Sequence, residues 1–319
     1  MLGLPAIARA ATLSVGALFA GKIDDRGFME SGWRGLERAR TELGLTTRHI
    51  DSIVPKKELL AEALTKLAES GVDMVIAHGG QNNEAATEVA ARYPKLKFVV
   101  TQGAVTGTNL SSYDVLQEES AYLAGVLAAL STRTGVVGHM SGIRVKPGLK
   151  RRAGFAAGVR DTDPKVKLLT NFSGNQDDNA LSRRVALAEI GAGADIIFTM
   201  LNAGRDGVSD ACREKGARQI GNVVDWVKID PKVFIASAIA DVSIGVFNAA
   251  RDLRDGNFKA GAIRKLGLSD PAAVRLSIAQ DVPDSIRKRV EQAAMDIQSG
   301  RVHVPENYDG VEFPTPASS

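Results

Sequence analysis

The stretch "DMVIAHGGQNNEAATEVAARYPKLKFVV", residues 73–100, carries the pattern on which the fold depends. An apolar run at 73–79 is followed by a helical run at 83–94 that stops before Pro94, and a second apolar run begins at residue 97. Strands buried on both faces of a parallel sheet have continuous apolar runs, whereas half-exposed strands alternate. The stretch therefore predicts a strand, a helix and a parallel strand in direct succession.

The same alternation repeats over nearly the whole chain of 319 residues. The predicted strands cover 12–20, 49–54, 73–79, 97–103, 134–142, 167–174, 194–201, 218–224 and 233–239. The predicted helices cover 30–44, 58–71, 83–94, 118–135, 149–161, 179–193, 206–216, 241–256 and 284–300. Alternating strands and helices indicate an α/β protein with parallel sheets.

The length favours two lobes over one sheet of nine strands. The polar segments 104–115 and 223–233 are the candidate crossovers between them. We therefore predict that residues 12–110 and 232–262 form lobe one and that 111–231 and 263–319 form lobe two, with a hinge between them. Residues 1–11 contain the A-x-A-like triplet 8–10 and are predicted to be the remnant of an export signal, with a disordered leader as the alternative.

The composition argues against several function classes. The net charge is only +3, and Lys and Arg are spread through the helices, so no nucleic-acid footprint is expected. The chain lacks a P-loop, a G-x-S-x-G elbow, an H-E-x-x-H motif and a G-x-G-x-x-G fingerprint after the first strand, and its histidines lack metal-ligand spacing. We predict no enzyme activity, cofactor or metal. His78, His139 and Cys212 are interpreted as structural.

Polar loops follow the predicted strands, where ligands bind in parallel α/β sheets. Amides and carboxylates bind hydroxyls and ring nitrogens, and an aromatic such as Phe28 or Trp226 can stack on a flat ring. The same residue types also form turns and helix caps, which is the structural alternative. The candidate ligand-binding residues are Asp25, Phe28, Met29, Gly80, Gln81, Asn82, Ser141, Asn202, Asp206, Asp225 and Trp226.

Three stretches together resemble the basic-membrane-protein family of ABC-transporter solute-binding lipoproteins, the purine-nucleoside receptor group. They are "KIDDRGFMESGWRGLERARTELG" (22–44), residues 64–100, and "SSYDVLQEESAYLAGVLAALSTRTGVVGHMSG" (111–142), and the resemblance covers about residues 12–300. It implies a two-lobed type I periplasmic-binding-protein fold, with a parallel sheet flanked by helices in each lobe. It also implies a nucleobase stacked between aromatics and a ribose held by carboxylates and a lysine. Asp25 and Phe28 match the family's first loop, and Asp225 matches the second aspartate after "QIG".

Other positions depart from the family pattern. Met29 stands where the family has an asparagine, Val223 replaces the first aspartate after "QIG", and Ala240 replaces the lysine of the returning strand. The glycine-rich loop is "NAGRDG" at 202–207. These positions hold the sugar in the family. The ligand could therefore be a free base or another small aromatic or polar solute instead of a nucleoside.

The resemblance implies a periplasmic solute-binding protein of an ABC importer. It would capture a small ligand by hinge closure and deliver it to permease subunits in the inner membrane, with a lipid anchor if a cysteine precedes residue 1. Phe28 would supply a stacking surface and Asp25 a hydrogen-bond acceptor. The alternatives are a ligand-sensing domain of a receptor or regulator, and a nucleoside- or sugar-processing hydrolase.

Overall fold

A computed structural model describes residues 12–25 and 27–314. The predicted leader, residues 1–11, lies outside the described residues. The chain divides into two compact units. Unit 1 comprises the chain up to Asp24, Met29–Tyr113 and Gly245–Arg264, and unit 2 comprises Asp25–Phe28, Asp114–Ile244 and the chain from Lys265 onward.

Strands and helices alternate along the chain, as the sequence predicts. The strands are β1 (Ser14–Phe19), β2 (Thr46–Ile50), β3 (Met74–His78), β4 (Lys97–Thr101), β5 (Leu110–Val115), β6 (Val136–Ser141), β7 (Lys167–Phe172), β8 (Ile196–Met200), β9 (Arg218–Asn222), β10 (Phe234–Ala240), β11 (Ile263–Leu266) and β12 (Val274–Ile278). The α-helices are α1 (Phe28–Leu43), α2 (Lys57–Glu69), α3 (Asn83–Arg92), α4 (Gln117–Ser131), α5 (Lys146–Thr162), α6 (Asn179–Gly191), α7 (Arg205–Lys215), α8 (Trp226–Ile229), α9 (Ser243–Arg254) and α10 (Asp284–Gln298). A 3-10 helix covers Gly80–Asn82.

The sheet of unit 1 has the strand order β11-β5-β4-β3-β1-β2, and the pairs from β5 to β2 are parallel. Alternate residues of its strands enter two cores. Leu18 and Val75 pack with α2 and α3, while Ala17 and Ile76 pack with α1 and α9 on the other face. Helices cover both faces, which explains why the strands read as continuous apolar runs.

The sheet of unit 2 has the order β12-β10-β9-β8-β6-β7. One face packs on α4, α5 and α10, and the other on α6 and α7. The edge strand β12 is antiparallel to β10, so this sheet is parallel except at one edge. Cys212 lies fully buried on α7, which confirms its structural interpretation.

Helices α4 and α5 pack with their backbones in contact. A Cβ atom at Gly158 would lie 2.1 Å from the carbonyl oxygen of Tyr122, and one at Gly154 would lie 2.3 Å from that of Glu118. Only glycine permits this approach. The contact fixes the middle of α5 beside α4, and the turn before it carries three consecutive cations at 150–152.

The segment 232–244 lies in the other unit from the one that the sequence predicted. It was assigned to lobe one, but β10 pairs with β9 and β12 and belongs to unit 2, so the return to unit 1 comes at Gly245. The strands β5, β11 and β12 were also missed. β5 reads "LSSYDV", and its serines are buried although they are polar, so apolar periodicity gives no signal there.

Among the described residues, the helices are too short or too polar to cross a bilayer.

Candidate functional site

The loops after β8 and β9 of unit 2 hold Trp226 in a fixed position. Its indole nitrogen donates to the carbonyl oxygen of Asn222 at 2.9 Å, and its backbone N–H donates to Ser237 Oγ at 2.9 Å. The guanidinium carbon of Arg205 lies 3.3 Å from the ring centroid, and the Phe234 ring lies 5.7 Å away. The sequence predicted a ligand-stacking role for Trp226, but Arg205 already occupies one face of the ring.

Three buried polar atoms around Trp226 have no hydrogen-bond partner among the described residues. They are Arg205 Nε, Asn222 Oδ1 and Asp225 Oδ1. The Asp225 side chain is 16% exposed, and its other oxygen lies 3.5 Å from Lys228 Nζ. Folded proteins satisfy most buried polar groups, because each unpaired one costs about 1–3 kcal/mol. A donor and two acceptors in one loop cluster are therefore available to hydrogen-bond a polar ligand.

The backbone of this loop is strained at Val223, whose φ is +66°. A β-branched residue is a true outlier in the left-handed region and costs about 1–3 kcal/mol there. Val223 lies between Asn222 and Asp225, which carry two of the open acceptors. Strain of this kind is concentrated at ligand-binding loops.

The first loop of the chain also belongs to unit 2. Asp25 Oδ1 accepts a hydrogen bond from the Gly27 backbone at 2.8 Å, which forms the turn before α1. A Cβ atom at Gly27 would lie 2.7 Å from Asn202 Oδ1, so this turn packs directly against the loop after β8. Phe28 begins α1 and packs, partly buried, on the core of unit 2. Unit 2 thus brings Asp25, Phe28 and Asn202 together.

Arg151 on α5 is 1% exposed, and its Nη1 lies 3.0 Å from the thioether sulfur of Met200, the last residue of β8. Its Nε has no partner among the described residues. Burial lowers the pKa of Arg151 to about 10, and the negative charge of Glu118 opposes that shift. The sequence analysis did not select Arg151.

Ser141 belongs to a buried network at the end of β6. His139 is fully buried, with Nδ1 2.9 Å from Thr170 Oγ1 and Nε2 3.2 Å from Ser141 Oγ. Burial lowers the pKa of His139 to about 3, and the positive charge of Arg152 lowers it further. The imidazole is therefore neutral and structural, as predicted.

Unit 1 holds the other predicted residues. Asn82 is buried and donates from Nδ2 to the carbonyl oxygens of His78 and Gly79, both at 3.0 Å, so it closes the end of β3. A Cβ atom at Gly80 would lie 2.7 Å from the carbonyl oxygen of Gln102, and Gln81 is exposed. Met29 packs against Gly21 and the two cores of this unit.

Unit 1 also has a cavity of about 580 Å³ beside β5 and the end of α9. Its lining includes Tyr113, Asp252 and Arg264, where Tyr113 donates to Asp252 Oδ2 at 2.6 Å and Arg264 pairs with the same carboxylate. None of the predicted binding residues lines it. These three side chains bond to one another. None of the buried polar atoms without a partner among the described residues lies in this lining, so the cavity is a weaker candidate for a ligand site than the loops of unit 2.

The functional candidates that sequence reasoning missed are Arg151, Arg205 and Asn222. Helix spacing gave no signal, because none of the three cations at 150–152 has an acidic residue three or four positions away. Asp206, which was selected, has a side chain that is 68% exposed and pairs with Arg205 at 3.4 Å. No group of three or more His, Cys, Asp or Glu side chains in residues 12–25 and 27–314 is arranged to hold a metal.

Comparisons with known proteins agree with this architecture. The family model described as "ABC transporter substrate-binding protein PnrA-like" matches residues 12–307. Basic membrane protein A2 of Borrelia garinii is 24% identical, over 93% of this chain and 90% of that protein. The ABC transporter nucleoside-binding protein BmpA of Lactococcus lactis is 25% identical, over 90% and 87%. An ABC transporter solute-binding protein of Aeropyrum pernix has the same fold, with a TM-score of 0.78 and 22% identity over 93% and 94% of the chains.

Proposed function

The chain belongs to the PnrA-like family of ABC transporter substrate-binding proteins, and from that premise we propose that it captures a purine base or a nucleoside for an ABC importer. The observation that carries the proposal is the set of open polar atoms on Arg205, Asn222 and Asp225 beside Trp226. A base or nucleoside offers the N–H and O–H donors that the two acceptors need. A relative at 25% identity is named as nucleoside-binding, which supports the same ligand class.

The first loop supports this ligand class as well. Phe28, which is partly buried at the start of α1, would stack on the base, and Asp25 would accept a hydrogen bond beside it. The residues that hold a ribose in the resembling family are replaced at Met29, Val223 and Ala240. We therefore propose a free base as the alternative ligand to a nucleoside, and the experiment below distinguishes the two.

We further propose that uptake uses hinge closure and delivery to permease subunits from a periplasmic location. A ligand that is held by both units only in their closed state shifts the equilibrium toward that state. The ATPase would be a separate subunit. Membership of a transport family favours this function over the hydrolase and the regulator.

The test is to denature the purified protein and identify the released small molecule by mass spectrometry. A thermal-shift panel of purines, pyrimidines and their nucleosides would follow on the emptied protein. We expect one stoichiometric base or nucleoside, and the same compound should raise the melting temperature. An empty protein that no base or nucleoside stabilises would contradict the proposed ligand class.

A further inference from the structure

Arg151 differs from the two cations beside it on α5. Lys150 Nζ lies 3.2 Å from Asp114 and 2.9 Å from Glu118, and Arg152 is paired with Glu312. Arg151 is at least as buried, yet it has no ion pair within the described residues. The carboxylate that acts on Arg151 electrostatically is Glu118, whose Oε1 lies 2.9 Å from Lys150 Nζ and whose Oε2 has no hydrogen-bond partner among the described residues. No oxygen of Glu118 lies within ion-pair distance of Arg151. Within the described residues, two of these three neighbouring buried cations thus have a direct ion pair, and Arg151 has only the more distant charge of Glu118.

Arg205 is a second poorly compensated cation in the same unit. Its side chain is 11% exposed, and Nε has no partner among the described residues. Its carboxylate contact is the adjacent Asp206, at 3.4 Å and largely in solvent. Contact with the Trp226 face stabilises the cation but supplies no hydrogen-bond acceptor.

Both arginines lie at the carboxyl end of β8. Arg151 contacts Met200, the last residue of that strand, and Arg205 begins α7 five residues later. The adjacent strand β9 ends at Asn222, one strand spacing of about 4.8 Å away. The positive end of the α7 dipole adds to the field. This edge of the sheet therefore combines two buried cations with the open acceptors of Asn222 and Asp225.

An uncompensated buried charge is among the most costly features in a protein interior. We infer that the ligand of this unit carries a negative charge, as a carboxylate, a phosphate or an ionised ring oxygen, which Arg151 and Arg205 bind while Asn222 and Asp225 accept from its N–H or O–H groups. The inference rests on the proposed function only in expecting that the anion also carries a base. An acidic base or a nucleotide fits, and a neutral nucleoside leaves Arg151 without an ion pair and Arg205 with only the exposed Asp206.

The experiment compares charged probes with neutral counterparts on the emptied full-length protein by isothermal titration calorimetry. The pairs are guanosine 5′-monophosphate with guanosine, adenosine 5′-monophosphate with adenosine, orotate with uracil, and urate with hypoxanthine. These arms separate a phosphate, a carboxylate and an ionised ring. A second set without a base pairs gluconate with glucose and glycerol 3-phosphate with glycerol.

We expect at least one anion to bind about 10- to 100-fold more tightly than its neutral partner, the range for a hydrogen bond to a charged group. Arg151→Met should abolish that preference while leaving the melting temperature of the empty protein unchanged or raised, because it removes an unpaired buried charge. The matched control is Arg160→Met on the same helix, whose side chain is 68% exposed and paired with Asp161. It should keep the preference. If Arg151→Met does not fold, Arg151→Lys is used instead. Because lysine retains the positive charge, this variant should keep part of the preference for the anion.

The outcomes separate this inference from the proposed function. A neutral nucleoside or base that binds as tightly as its charged partner would overturn the inference and leave the proposed function standing. Binding of gluconate or glycerol 3-phosphate alone would support the inference and contradict the proposed base. If no anion of either set binds more tightly than its neutral partner, the inference is wrong.

Discussion

The guanidinium carbon of Arg205 lies 3.3 Å from the centroid of the Trp226 ring, so a cation and an indole are stacked at the start of α7. The two side chains hold each other in place, and the open Nε of Arg205 is the donor that the stack presents. If this pair binds the ligand, substitution of either residue should lower the ligand affinity.

Arg205→Gln should weaken binding of the released ligand by about 10-fold or more, because a charged hydrogen bond is worth about 1.5–3 kcal/mol. Calorimetric titration measures the change. The control is Arg213→Gln on the same helix, whose guanidinium is half exposed and lies 2.8 Å from Asp210 and 2.7 Å from Asp230. If the two variants bind the ligand with equal affinity, Arg205 does not contribute to ligand binding.

Phe28→Ala should lower ligand affinity by about 10-fold while the protein stays folded, because a stacking contact is worth about 0.5–1.5 kcal/mol beyond its buried area. Titration and a melting curve measure the two effects separately. Phe258→Ala is the matched control, since Phe258 is also partly buried and packs on a core of unit 1. If Phe28→Ala binds the ligand with wild-type affinity, Phe28 does not stack on the ligand.

Val223→Asn should raise the free energy of unfolding by about 1 kcal/mol, because asparagine tolerates a φ of +66° better than valine does. Urea denaturation gives the value. Val224→Asn is the neighbouring control, since Val224 is not among the residues with a positive φ. If Val223→Asn is less stable than Val224→Asn, the backbone strain is not what limits stability here.

Acid should destabilise the protein partly through His139. Its pKa is lowered to about 3 in the folded state, whereas the imidazole of the unfolded chain titrates near 6.5. Between those values the unfolded chain binds the proton and the folded chain does not. The free energy of unfolding therefore falls as the pH falls, by up to about 1.4 kcal/mol for each pH unit from this residue.

Urea denaturation at pH 7, 6, 5 and 4 measures that slope. His139→Gln should flatten it, and His303→Gln, which changes an exposed imidazole, should leave it as in the wild type. A His139→Gln slope parallel to that of the wild type would show that other groups dominate acid sensitivity.

The fold was largely predictable because helices cover both faces of each sheet and leave continuous apolar strands. The exceptions have physical reasons. β5 uses the buried Ser111 and Ser112, and the latter's hydroxyl donates to the Val105 carbonyl at 2.7 Å, so its polar residues do not mark a loop. The assignment of β10 to the first lobe failed because strand partners are set by tertiary pairing, which a local apolar run does not encode.

The candidate site was less predictable. Asp25, Phe28 and Asp225 could be selected from loop position and family resemblance. The run 150–152 presents three cations that look alike in the sequence. Which one lacks an anion depends on Glu312, which is 160 residues from Arg152 and pairs with it. Such a distant partner is invisible to helix spacing.

The interleaving of the two units also sets the order in which the chain can fold during synthesis. Unit 1 needs Gly245–Arg264 to complete its sheet, and β11 pairs with β5 some 150 residues earlier. At 5–20 residues per second, a ribosome takes roughly 8–30 s to make the intervening chain. The first sheet therefore exposes an unpaired β5 edge through that interval. Until β11 has been made, that edge is open to pairing with other exposed strands, so the interval is the part of synthesis in which mispairing can occur.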